Sequence, residues 1–128
     1  MQSADCFTLY LDFLFYEKTK DWQNFAKIST IFAKRYQYNN HQNLNRIAYK
    51  FFEYIDDKEC LDEAIVWSKR SLELYYDSDY VITYASLLYK RGRKAEAKVV
   101  IKKAIESARK KGGDSSSFKE LLSKITKQ

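Results

Sequence analysis

Four cations recur at helical spacing in the last third of the chain: Lys94, Lys98, Lys102 and Arg109. With about 100° per residue and Ala97 set at zero, Ala104 and Ala108 lie within about 20° of it and Ile101 near 40°. The four cations then fall between about 60° and 140°, a stripe beside an apolar face. Such a stripe attracts anions, and phosphate contacts would give binding a steep salt dependence. Residues 90–111 contain no aromatic ring, however, and rings are what stack on bases. The first reading is therefore a solvated basic face favoured by the negative end of its helix. Anion or nucleic-acid binding stands as the alternative.

Catalytic signals are sparse. His41 is the only histidine and sits in the Asn-rich break "YNNHQN", so imidazole-based metal sites and catalytic triads have little to draw on. No Gly-rich phosphate loop occurs. Asp56–Asp57 and Asp62–Glu63 are acidic pairs whose positions suit solvated helix ends. Cys6 and Cys60 are the only cysteines, too far apart for a zinc knuckle or a Cys-x-x-Cys redox centre. They read as small packed hydrophobes, with a bridge between them left open. A lowered thiol pKa is the alternative for Cys60, because it opens a helix. The expectation is a protein that is not an enzyme and needs no metal or cofactor.

What positions these residues follows from composition. The 128 residues include no proline and three glycines, too few turn formers for a hairpin-rich fold, so long helices are expected. A chain of this length forms one domain burying roughly two-thirds of its unfolded surface. The net charge of +6 is local. Residues 1–89 carry ten basic and thirteen acidic groups, whereas residues 90–111 carry ten basic and two acidic. No apolar run is long enough to cross a membrane, and the N-terminus lacks a basic leader. From the chain alone the expectation is cytoplasmic.

Periodicity predicts seven helices. The first, about Ala4 to Lys18, is crowded with Phe7, Leu11, Leu14 and Phe15. The second, Asp21 to about Tyr38, aligns Phe25, Ile28, Phe32 and Tyr36 on one face, with Asp21 as N-cap. The third, roughly His41 to Ile55, gathers Leu44, Ala48, Phe51 and Phe52. The fourth, about Cys60 to Tyr75, turns Leu61, Ala64, Ile65, Ser68, Leu72 and Tyr75 inward. Asp79 caps the fifth, Tyr80 to Arg91, which Gly92 closes in a left-handed conformation. The sixth runs from Lys94 to Lys110. The seventh, within 115–127, opens on a Ser117–Glu120 capping box and carries the stripe Phe118, Leu121, Leu122 and Ile125.

An internal repeat links them. "LDEAIVWSKRSLEL" lies over "KAEAKVVIKKAIES", with Ala64 and Ala97 33 residues apart. Ala48 and Ala85 precede them as small residues on shorter helices. This pattern resembles the tetratricopeptide repeat, best between Tyr80 and Ile105, where Ala85, Leu88, Gly92, Ala97, Ile101 and Ala104 hold the motif positions. The resemblance implies an all-α, TPR-like α-α superhelix: three antiparallel helix pairs, at about 4–38, 41–75 and 79–111, plus a C-terminal capping helix. Small residues at crossings let backbones approach, and bulky ones fill the holes between repeats.

The resemblance also implies a concave surface on the first helix of each pair. The aligned positions there are Asn45, Tyr49 and Phe52, then Ile82, Ser86 and Tyr89. That aromatic groove would take a protein or peptide partner. Some members of the family grip a terminal carboxylate with lysines and asparagines at these positions; here only Asn45 fits, and Tyr49, Ile82 and Ser86 do not, so such capture is disfavoured. More narrowly, "DEAIVWSKRSLEL…TYASLLYKRGRKAEA" resembles the helical tail of some thioredoxin-family proteins of bacterial cell envelopes, which would make this an accessory, periplasmic or envelope module. No residue here matches their redox centre. A helical module that only docks or spaces a partner domain is a further reading.

Overall fold

The computed structural model describes residues 6–127. Among these the chain forms seven helices and no strand: α1 Cys6–Thr19, α2 Trp22–Tyr36, α3 His41–Tyr54, α4 Lys58–Leu74, α5 Ser78–Lys90, α6 Lys94–Lys110 and α7 Ser116–Lys127. The expected start of the first helix at Ala4 lies outside the described residues. Among those described, no helix is long and apolar enough to cross a membrane.

Short polar side chains start these helices by accepting backbone N–H groups that have no partner within the helix. Asp21 accepts from Asn24 N–H at 3.3 Å and Asn40 from Asn43 N–H at 3.0 Å. Asp57 accepts from Cys60 N–H at 2.9 Å, so α4 begins two residues before the expected Cys60. Asp77, not Asp79, caps α5, accepting from Asp79 N–H at 2.8 Å. At α7 the expected Ser117–Glu120 box gives way to Asp114, which accepts both the N–H and the hydroxyl of Ser116. An aspartate two residues ahead of the helix satisfies those donors first, and Ser117 becomes an interior helical residue.

Three helices end in the same two-bond reversal. At α5, Gly92 N–H reaches Tyr89 C=O and Arg93 N–H reaches Leu88 C=O, with Gly92 at φ 95. Gly112 does the same after α6. After α1 the left-handed position is held by Lys20, at φ 60.

The helices pack in sequential pairs, α1 with α2, α3 with α4 and α5 with α6, and α7 lies on α6 and α5. Side chains fix their directions. His41 at the start of α3 meets Tyr80 near the start of α5, and Lys90 at the end of α5 meets Phe52 near the end of α3. Helices α3 and α5 therefore run side by side in one direction. The end of α4 returns to their starts, where Tyr75 stacks on His41.

A chain of rings crosses the core: Phe13 of α1, Phe25 of α2, Phe51 of α3 and Trp67 of α4, with successive centroids 5.2, 6.1 and 5.1 Å apart. A second cluster of Val81, Ala85, Ile101 and Ala104 is closed over by Phe118 of α7. Ala48, Ala64, Ala85 and Ala97 are all fully buried, which lets the backbones of neighbouring helices approach.

Three expected faces are corrected. On α1 the buried residues are Leu9 and Phe13, while Phe7, Leu11 and Phe15 point outward. On α2 and α4 the inward faces rotate away from Tyr36 and Tyr75, both exposed. Trp67 and Ser71 take the places on α4 that the periodicity left unassigned.

Candidate functional site

The parallel pair α3 and α5 carries the six residues expected of the groove. Each helix presents them at i, i+4 and i+7, which is one face of a helix. Tyr49 is exposed, and Asn45, Phe52, Ile82 and Tyr89 are half-buried. The Tyr49 and Phe52 rings stand 6.2 Å apart. Ser86 is the exception, buried at 7%: its two-atom side chain does not reach the level that Ile82 and Tyr89 set. It is corrected from a contact residue to a packing residue. The Asn45 side-chain oxygen is buried without a hydrogen-bond partner among the described residues.

Charges frame this face. Lys90 donates to the Phe52 carbonyl at 2.6 Å, pairs with Asp56 at 3.2 Å and lies over the Phe52 ring. It thus satisfies one of the carbonyls that the last turn of α3 leaves free. Arg46 pairs with Glu17 of α1 at 2.6 Å and sits over the Phe13 ring. Lys50 approaches Glu17 and Glu53 and lies over Tyr54. These links join α1, α3 and α5 along one side. The Glu53 carboxylate beside Tyr49, together with partial burial, holds that phenol above its ordinary pKa.

The basic stripe lies elsewhere, on α6. Lys94 and Lys98 are half-buried, and Lys102 and Arg109 are exposed. Arg109 is engaged by Glu106 one turn earlier. Lys98 and Lys102 pair with no carboxylate among the described residues. The stripe and the ring-bearing face are thus carried by different helices.

Sequence reasoning missed a cleft of 1060 Å³ between α2 and α4. Trp22, Ala26, Tyr54 and Val66 supply its apolar lining, and Asp56, Asp57, Glu59, Asp62 and Glu63 its acids. Trp22 stacks flat on Tyr54, with centroids 4.0 Å apart and planes 4° from parallel. Most of the acids already have structural partners. Asp57 caps α4, Asp62 pairs with Arg91 at 2.9 Å and Glu63 with Lys34 at 2.9 Å. The run of acids was visible in the sequence. The stack that shapes the cleft joins residues far apart in the chain and was not.

Of the remaining reactive residues, Cys60 and His41 take structural places. Cys6 and Cys60 are both unpaired; Cys60 is half-buried and packs against the core as expected, whereas Cys6 is exposed and does not. Burial first, and then the neighbouring Asp57, Glu59 and Glu63, push the Cys60 thiol up. The thiol is therefore raised, not lowered as a helix N-terminus alone would make it. His41 hydrogen-bonds through Nδ1 to the Tyr80 hydroxyl at 2.7 Å and stacks on Tyr75 at 4.6 Å, tying together three helix ends. Comparison with protein-family models, curated proteins and solved structures finds no match for the chain.

Proposed function

We propose that this chain is a non-catalytic, TPR-like helical-repeat scaffold that binds a protein or peptide segment along the face shared by α1, α3 and α5. The contacts would come from Tyr49, Phe52, Ile82 and Tyr89, flanked by Asn45. The observation that carries the reading is that Tyr49 is exposed and that Phe52, Ile82 and Tyr89, though packed on the core at their inner edges, stay only half-buried on the same face. Ala48 and Phe51 on α3, and Ala85 and Leu88 on α5, complete the packing of those helices. Rings held on a rigid helical surface give up little conformational freedom when a partner covers them, which suits recognition. The narrower resemblance makes the scaffold an accessory module working beside a thioredoxin-like domain.

The test is affinity measured on matched variants. Peptides selected from a random display library on the purified protein are titrated by fluorescence anisotropy. Tyr49→Ala with Phe52→Ala is expected to weaken binding tenfold or more, about the loss of one binding hot spot. Lys98→Glu with Lys102→Glu is expected to leave it unchanged. The second reading, anion or nucleic-acid binding, is favoured by the unpaired state of Lys98 and Lys102. It takes over if labelled single-stranded DNA binds at low salt and the lysine variant alone loses it.

A further inference from the structure

Helix α1 is apolar on two opposite sides. Leu9 and Phe13 face the core, where Phe13 packs on Phe25 and Phe32 of α2. On the far side Phe7 is 69% exposed, Phe15 60% and Leu11 47%. A helix apolar all round is ordinarily covered all round. We propose that this outer face is covered by the same face of a second copy, in an antiparallel two-fold pairing of α1 with α1 centred on Leu11.

Three features select this occupant. Phe7, Leu11 and Phe15 are spaced at i, i+4 and i+8, a stripe that reads the same in both directions about Leu11. A two-fold axis through Leu11 therefore sets Phe7 of each copy against Phe15 of the other, as an isologous interface requires. Charge chooses the direction. A parallel pairing places Lys18 of one copy against Lys18 of the other, while the antiparallel one separates them and opposes the helix dipoles favourably. Area sets the strength. The three side chains expose roughly 340 Å² in all, so pairing covers about 700 Å² before flanking residues, in the range of weak, transient contacts. The dimer is thus a weak, reversible one, with a dissociation constant of about 1–100 μM.

The test uses the full chain. Sedimentation equilibrium over roughly 1–500 μM is expected to show a monomer–dimer equilibrium, as an interface of this size supports. Leu11→Arg, which sets two cations against each other on the axis, is expected to leave a monomer whose circular dichroism and melting match the parent. Leu11→Cys is expected to cross-link across the axis on mild oxidation. The native Cys6 pair should not, because five residues on either side of the axis hold the two thiols about 15 Å apart. A parent that stays monomeric throughout, or a dimer that survives Leu11→Arg, overturns the proposal. So does a Cys6–Cys6 cross-link, or a monomer that instead co-floats with lipid vesicles through this face.

Discussion

Lys20 holds φ 60 in the turn that reverses α1 into α2, the role that Gly92 and Gly112 play after α5 and α6. A left-handed conformation costs a residue with a Cβ about 1–2 kcal/mol. Glycine removes that strain but gives the unfolded chain more freedom. Lys20→Gly is therefore expected to raise stability by a net of about 0.5–1 kcal/mol. The readout is a higher urea midpoint at unchanged m-value; a lowered midpoint sinks the argument. The reversal at Gly92 was legible because glycine advertises it. The one at Lys20 was not, since lysine gives no such signal and the conformation is imposed by the short span to Asp21.

At the scale of elements, α7 closes the second core cluster, with Phe118 3% exposed against Val81, Ala85, Ile101 and Ala104. Phe118→Ala leaves a cavity and is expected to cost about 3–5 kcal/mol, concentrated at the C-terminal end. Hydrogen exchange should lose protection first across 116–127 and α6, while α3 and α4 keep theirs; uniform loss would show that α7 is not a separable cap. The seven helices and the stripe of α7 were readable because polar caps and apolar periodicity are local properties. The inward face of α1 was not. That helix is apolar on two opposite sides, so periodicity gives no preference between them, and only packing against α2, where Phe13 meets Phe25 and Phe32, selects the side of Leu9 and Phe13. The sequence spacing placed Asn45, Tyr49 and Phe52 on one side of α3 and Ile82 and Tyr89 on one side of α5, but not the burial of Ser86, which depends on the size of its neighbours.

Across the whole molecule, the ring chain from Phe13 through Phe25 and Phe51 to Trp67 joins the first four helices. Trp67 is 1% exposed, and Trp67→Ala is expected to cost about 3–5 kcal/mol. Because the rings are in contact from helix to helix, the loss should appear as one lowered transition by both circular dichroism and calorimetry, not as a new early phase. Sequence pattern did not mark Trp67 as a core residue, because its importance lies in a contact with Phe51, on another helix. The other tryptophan occupies a different setting: Trp22 lies half-buried and flat against Tyr54 at the lip of the α2–α4 cleft. The two indoles therefore act as separate optical gauges. Trp67 emits from a dry interior, while Trp22 reports on the α2–α3 junction and on anything that enters the cleft beside it. A Trp67→Phe chain would leave Trp22 as the single emitter, so cleft occupancy could be followed by its quenching without attaching a dye.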